Sequence, residues 1–229
     1  MNNKQKILIA FVLCSMFYVL FAVGKYWYAD TLYSKAKAQN STQRPDLAIP
    51  YLNQAIKFEP NQAIYYGELA TSYSTLAMAF DQTNDATSAG QLTDLALNNI
   101  QKAINLAPAN VNLHRQMFGV YVRLSTIDEK YLLTARDSLV ETLKFAPTDA
   151  KLYYNLGIAN ANLGETTNAV LDFQKSIELK PNYSEARIQY AALLVHLNKN
   201  EEAKQELNYI LTKIDPGNTT AKTALDNIK

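Results

Sequence analysis

Histidine and cysteine, two residue types that enzymes often use for nucleophilic and metal chemistry, are rare in this 229-residue sequence. The chain has two histidines, His114 and His196, and one cysteine, Cys14. This set excludes a disulfide and a four-ligand His/Cys zinc site. The sequence also lacks a Gly-rich phosphate loop, a G-x-S-x-G turn and an HExxH helix. The adjacent acids Glu201 and Glu202 fall in the first turn of a predicted helix, where the helix dipole favours negative charge. We therefore predict no catalytic residue, no metal and no cofactor, and a structural role for His114.

The remaining polar chemistry is that of surface recognition. The 22 Lys and Arg balance the 21 Asp and Glu, so the charge indicates no nucleic-acid partner. Arg115, Arg123 and Lys151 could hold an acidic peptide or a C-terminal carboxylate through charge-assisted hydrogen bonds. We predict a protein or peptide partner for a surface containing Asn112, Arg115, Arg123, Lys151, Tyr154, Asn162 and His196.

Three asparagines occupy N-x-S/T glycosylation sequons: Asn40, Asn182 and Asn218. Each could carry a glycan only if the chain is exported.

Residues 7–23, ILIAFVLCSMFYVLFAV, contain no charged side chain. At 1.5 Å per residue they cross most of a bilayer's hydrocarbon core of about 30 Å. Lys25 and the aromatic run Tyr26-Trp27-Tyr28 follow, and such residues are typical of a membrane interface. Three interpretations stay open: an uncleaved single-pass anchor, which we favour; a signal peptide cleaved after Gly24; and a helix that packs into a neighbouring copy of the chain. The repeats after this segment are expected outside the cytoplasm, or in the extracellular space if the chain is processed or polymerised.

Prolines divide the rest of the chain into similar segments. They lie at intervals of 34 to 48 residues: Pro60, Pro108, Pro147, Pro181 and Pro216. Before each proline an alanine and a large apolar residue four positions later begin the apolar face of a predicted helix. A second predicted helix follows each of the first four prolines, as in KLYYNLGIANANLG after Pro147. The pattern predicts an all-α chain of repeated helix pairs.

The best copy, YYNLGIANANLGETTNAVLDFQKSIELKP, resembles the tetratricopeptide repeat. It departs from the usual pattern mainly at Asn160, where an aromatic is common, and at Ser176. The resemblance implies a right-handed α-solenoid whose first helices line a concave, peptide-binding groove. We predict an N-terminal helix over 1–25 and one solenoid over 26–229, with these parts: 26–60, 61–108, 109–147, 148–181, 182–216 and a capping helix at 218–229.

Two long spacings indicate insertions, at 77–90 and 125–131. We expect each to lengthen its two helices by about a turn. Pro50 is expected to kink its helix unless it lies in the first turn, and Asn218 or Thr219 is expected to cap the last helix.

The chain from Trp27 onward also resembles the helical-repeat tail of some bacterial O-antigen ligase-like membrane proteins. Three functions follow as hypotheses. The first is a non-enzymatic, membrane-anchored scaffold that binds a partner through the groove. The second is a self-assembling subunit of an extracellular filament. The third is an accessory domain of a cell-surface glycan ligase system.

Overall fold

The computed structural model describes residues 2–228, and every regular element in that range is helical, as predicted. Met1 and Lys229, the outermost residues of the predicted segments 1–25 and 218–229, lie outside the described residues. The α-helices within it are α1 Asn3–Ser41, α2 Pro45–Phe58, α3 Ala63–Gln82, α4 Ala86–Leu106, α5 Val111–Leu124, α6 Lys130–Leu143, α7 Ala150–Asn162, α8 Thr166–Leu179, α9 Ser184–His196, α10 Asn200–Tyr209 and α11 Thr219–Asp226. A short π-helix, Ile210–Ile214, continues α10.

The chain forms two compact units, residues 1–116 and 117–229, with the boundary inside α5. In the first unit α1 packs on α2 and α3 on α4. In the second unit α7 packs on α8, α9 on α10, and α11 on α10 and α9. The alanines that mark the repeats in the sequence are all fully buried: Ala48, Ala96, Ala135, Ala169 and Ala203.

The turn inside a repeat has the same backbone form in four of the five helix pairs. One residue of each turn has a positive φ: Gln43, Asn84, Gly164 and Asn198. The next residue donates its N–H to a carbonyl in the last turn of the preceding helix, for example Glu165 to Asn160 at 2.8 Å. This is the left-handed helix cap that glycine and asparagine favour. It fixes where the second helix of each pair begins.

After three of the boundary prolines, the side chain six positions later closes the turn between repeats. The Tyr66 hydroxyl donates to the Pro60 carbonyl at 2.9 Å, and Arg187 Nε donates to the Pro181 carbonyl at 2.9 Å. His114 Nε2 lies 2.7 Å from the Pro108 carbonyl oxygen. Three different side chains thus make the same bond, and the buried His114 has a structural contact as expected.

Gly157 allows α7 and α8 to approach closely. A Cβ on this residue would lie 2.8 Å from two ring carbons of Phe173, which is itself 2% exposed. A core cluster of the second unit extends from Phe173 through Tyr190 and Leu194 to Leu207.

The two insertions have different effects. The first lengthens its helices, since α3 and α4 have 20 and 21 residues against 13 and 14 in α7 and α8. The expectation for 125–131 was wrong, because α5 and α6 keep 14 residues each. The extra residues form the longer turn 125–129, which replaces the left-handed cap.

Two irregularities lie in second helices. Pro50 is the sixth residue of α2, beyond the first turn, while Pro45 occupies the start of that helix. In the last repeat Pro216 lies thirteen positions after Ala203, one more than the twelve positions from Ala169 to Pro181. A π turn holds one residue more than an α turn, so Ile210–Ile214 absorbs this extra residue.

The predicted apolar segment and the first helix of the first repeat form one helix. α1 is 39 residues long, about 58 Å at 1.5 Å per residue. Every residue from Asn2 to Phe21 is exposed, whereas Ala29, Leu32 and Ala36 are buried against the repeat. Asn2 caps this helix through a reciprocal pair of hydrogen bonds with Gln5.

Candidate peptide-binding surface

The predicted binding residues of α5 make contacts within their own helix. Arg115 Nη1 donates to Asn112 Oδ1 at 2.8 Å, and Asn112 is exposed. Arg123 Nη1 donates to the Gly119 carbonyl at 2.7 Å. Both arginines are half-buried, and each donates a hydrogen bond to another residue of α5. Asn112 and Arg115 belong to the first compact unit and Arg123 to the second.

The other four predicted binding residues lie in the second unit, on α7 and α9. Lys151, Asn162 and His196 are exposed. Tyr154 is half-buried, and its ring centroid lies 5.2 Å from that of Tyr183. Burial raises the pKa of Tyr154, and the charge of Glu185 adds to this, so the phenol stays neutral. Among these four residues, Lys151 is an exposed cation.

An apolar cleft of about 270 Å³ lies between α9 and α11 in the second unit. Ile188, Ala192 and Val195 of α9 form one wall, and Ala224 and Ile228 form the other. Leu207 of α10 and Asn227 also line it. We call this the α9–α11 cleft, and it has the size and chemistry to hold an apolar side chain.

Sequence reasoning found only part of the α9–α11 cleft. The capping helix predicted over 218–229 supplies Ala224 and Ile228, but none of the predicted binding residues lines the cleft. Ala192 has a small, exposed side chain between the larger Ile188 and Val195 on the same face of α9. A small residue at such a position indicates a gap in the surface of the helix. Its meaning depends on how closely α11 packs on α9, which is a tertiary property.

A buried polar network joins the first helices of the first unit. Asn40 Nδ2 donates to Glu68 Oε1 at 2.7 Å and to Ser72 Oγ at 2.9 Å. Gln116 Nε2 donates to Glu68 Oε2 at 3.3 Å. Glu68 is 7% exposed, and burial together with its charge raises the pKa of Tyr33. The network links α1, α3 and α5.

The three sequons are placed differently. The Nδ2 atom of Asn40, to which a glycan would be attached, is a donor in this network. Asn182 is exposed in the turn before α9. Asn218 caps α11, where its Oδ1 accepts from the Ala221 N–H at 2.9 Å. Among the three, Asn182 has the most accessible side chain.

No group of three or more His, Cys, Asp or Glu in residues 2–228 is arranged to hold a metal ion. Cys14 is exposed on the apolar part of α1. In this described range α1 is the one helix that is long and apolar enough to cross a membrane.

Family comparisons identify the repeats. Residues 29–62, 150–183 and 173–205 each match a tetratricopeptide-repeat model. The chain therefore contains tetratricopeptide repeats, as the sequence pattern predicted.

Solved structures of repeat proteins share this fold at low sequence identity. TTC0263, a thermophilic TPR protein of Thermus thermophilus, is 19% identical with a TM-score of 0.65, and the match covers 86% of this chain and 97% of that one. MamA (41-end) of Desulfovibrio magneticus RS-1 is 16% identical with a TM-score of 0.59, covering 84% and 97%. YrrB, described as a TPR protein with an unusual peptide-binding site, is 17% identical with a TM-score of 0.55, covering 85% and 90%.

Proposed function

We propose that this tetratricopeptide-repeat chain is a non-enzymatic scaffold, anchored in a membrane by residues 7–23, that binds a peptide segment of a partner protein. The observation that carries the anchor is α1. It is one continuous helix whose first half is apolar and exposed and whose second half is part of a repeat. The tetratricopeptide fold supports protein or peptide binding as the general activity.

The exposed half of α1 has the composition of a lipid-facing helix. Its large apolar side chains lie on all sides, since consecutive residues such as Phe11, Val12 and Leu13 are each 45 to 72% exposed. A helix that docks into a groove has one apolar stripe, whereas a helix that is apolar all round is covered on every side. Residues 7–23 span about 26 Å, which fits a bilayer core with slight thinning.

Aromatic and basic side chains follow at the depth of an interface. Tyr26, Trp27 and Tyr28 are 44 to 69% exposed. The ring of Tyr28 meets Phe58 of α2 edge to face, with centroids 5.1 Å apart. These rings suit a headgroup region, where an apolar body and a polar tip both find partners. The end of α2 would then lie at the membrane surface.

Polar contacts on both sides of these rings fix α1 to the repeat. Lys25 Nζ lies 3.1 Å from Glu59 Oε1, and Glu59 is 7% exposed. The Tyr65 hydroxyl donates to Asp30 Oδ1 at 2.7 Å. Burial and Asp30 raise the pKa of Tyr65, which keeps its hydroxyl a donor. An anchor held in this way joins the repeat without a flexible linker.

We infer that the peptide-binding surface lies on α7, α9 and α11. The α9–α11 cleft takes an apolar side chain, and Lys151 supplies a charge for an acidic residue or a terminal carboxylate. The YrrB structure, with the same fold, is described as having a peptide-binding site. The resemblance to O-antigen ligase tails remains a prediction and contributes nothing to this placement.

The anchor is tested by fractionating cells that produce the full chain and by sequencing the mature N-terminus. We expect an intact N-terminal segment and release by detergent but not by carbonate at high pH. A double substitution, Leu13→Arg with Phe17→Arg, should release the chain. The matched control is Leu47→Arg with Val140→Arg, which also alters two exposed apolar residues.

Two results would overturn the anchor. A mature N-terminus at Lys25 would make residues 1–24 a signal peptide. Regular fibres that contain the full chain and need residues 1–25 would favour the filament hypothesis.

The binding surface is tested by photo-crosslinking in cells. We expect a benzophenone amino acid at Val195 to capture a defined partner, and the same probe at Gln205, which is exposed on α10, to capture none. Ala192→Trp, which fills the cleft, should abolish the product. Equal capture at both positions would contradict this placement. Unchanged capture after Arg115, Arg123 and Lys151 are replaced by Ala would remove the basic residues from the proposal.

A further inference from the structure

A second depression, separate from the α9–α11 cleft, lies among α6, α7 and α8 of the second unit. Its volume is about 440 Å³. Its floor includes Leu156 and Asn160 of α7. Its sides come from Arg136, Asp137 and Val140 of α6 and from Glu165, Leu171 and Asp172 around α8. We call it the Asn160 depression.

Asn160 presents an unsatisfied acceptor here. The residue is 4% exposed, and its Nδ2 donates to Asp172 Oδ2 at 2.7 Å. Its Oδ1 is buried and accepts no hydrogen bond from the described residues. A buried acceptor of this kind costs free energy that a bound donor would recover. Asn160 also stands where this repeat commonly has an aromatic, so the smaller side chain leaves space.

The charges around Asn160 favour a cation. Arg136 donates from Nε to Asp137 Oδ1 and from Nη1 to Glu165 Oε1, both at 2.8 Å. With one arginine against three acids, the lining carries a formal charge of −2 when all are ionised. Burial raises the pKa of Asp172 to about 6, and the bond from Asn160 opposes this shift. Asp172 is therefore mainly ionised above pH 7.

We propose that the Asn160 depression binds an arginine side chain of a partner protein, whose guanidinium donates to both Asn160 Oδ1 and the Asp172 carboxylate. A planar guanidinium offers several N–H groups at once, whereas an ammonium is a compact charge. Val140 and Leu171, 45% and 58% exposed, supply apolar walls for the methylene stem. The site shares no residue with the α9–α11 cleft, so it stands independently of the proposed function.

The test titrates the full chain in detergent micelles with N-acetyl-L-arginine amide at pH 7.5. The methyl NMR signals of Val140, Leu156 and Leu171 report on binding. We expect saturable shifts with a dissociation constant on the order of millimolar, the range for one small contact. The N-acetyl-citrulline amide, which has nearly the same shape without the charge, should give no saturable shift.

Matched variants separate the site from general effects of charge. Asp172→Asn should weaken binding at least tenfold, and Asn160→Leu, which keeps the approximate volume, should weaken it several-fold. Asp226→Asn removes an exposed acid of α11 and should leave binding unchanged. A ¹H–¹⁵N spectrum like that of the parent chain confirms that each variant is folded.

Three results would overturn the proposal. One is the absence of saturable shifts up to tens of millimolar. Another is equal binding of the citrulline derivative, which would remove the role of charge. The third is equal binding of N-acetyl-L-lysine amide, which would make the site a general cation site.

Discussion

His114 Nε2 lies 2.7 Å from the carbonyl oxygen of Pro108, six residues earlier in the chain. Tyr66 makes the same bond to Pro60 and Arg187 makes it to Pro181. The shared requirement is a donor that can reach this carbonyl, and three side-chain chemistries satisfy it. The position can therefore be described by its hydrogen bond rather than by its residue type.

This relationship predicts how His114 can be replaced. His114→Tyr should keep the stability within about 0.5 kcal/mol, since Tyr66 shows that a tyrosine fits an equivalent position. His114→Phe lacks the donor and should lower the free energy of unfolding by about 1 to 2 kcal/mol. Urea unfolding of the full chain in detergent, followed by circular dichroism, measures both. Equal losses for the two variants would contradict the role of the bond.

Gly157 is predicted to resist even the smallest enlargement. Gly157→Ala would place a Cβ 2.8 Å from the Phe173 ring and should cost about 1 to 3 kcal/mol. Gly90→Ala is the control, because a Cβ there meets nothing within 4 Å. It should raise helix stability by about 0.5 to 1 kcal/mol. Thermal melts compare the two, and a neutral Gly157→Ala would refute the close approach.

Asp172 is predicted to make stability depend on pH. Its pKa is about 6 in the folded chain and near the ordinary value of 3.8 when unfolded, so the folded state binds more protons between these values. The stability contributed by Asp172 therefore falls as the pH rises from 4 to 7. Because Asp172 is only partly buried, solvent screening limits the effect to about 1 kcal/mol.

The comparison with Asp172→Asn isolates that effect. The variant should be the more stable chain at pH 7.5 and equal to the parent near pH 4. Asp46, Asp85 and Asp128 have lowered pKa values, mainly from hydrogen bonds to Arg44, Ser88 and Lys130, and they act in the opposite direction in both chains. A difference between parent and variant that is constant from pH 4 to 7.5 would contradict the prediction.

The π turn predicts that the last repeat tolerates the loss of one residue. Deleting the exposed Thr212 returns the spacing from Ala203 to Pro216 to twelve residues and should change stability by less than about 1 kcal/mol. Deleting Glu178, which is also exposed, shortens a helix that already has this spacing. It should cost about 2 kcal/mol or more, because the residues after the deletion lose their register. Equal losses in urea unfolding would refute the interpretation.

Sequence patterns predict well those features that depend on neighbours along the chain. The buried alanines follow from spacings within one helix, and Asn218 as the cap of α11 follows from its residue type and position. The longer turn at 125–129 was missed, because the count of inserted residues does not say whether a helix or a loop receives them.

The candidate sites were less predictable for a different reason. Asn160 stood out in the sequence as a departure from the repeat pattern, but its unsatisfied oxygen appears only when α6, α7 and α8 are placed together. The α9–α11 cleft likewise depends on how α11 meets α9. Arg115 and Arg123 were predicted from the sequence to bind a partner, whereas in the structure both make hydrogen bonds within α5.

Because α1 is one continuous helix, the number of residues in it fixes the rotation of the first repeat about the helix axis. Each residue added to an α-helix turns the downstream part of the chain by about 100° and moves it by 1.5 Å. One alanine inserted between Gly24 and Lys25 would thus rotate the first repeat relative to whatever surrounds residues 7–23. Insertions of one to four residues should change any orientation-dependent property of the repeats with a period of 3.6 residues. The register of α1 would thereby determine which face of the first repeat is presented.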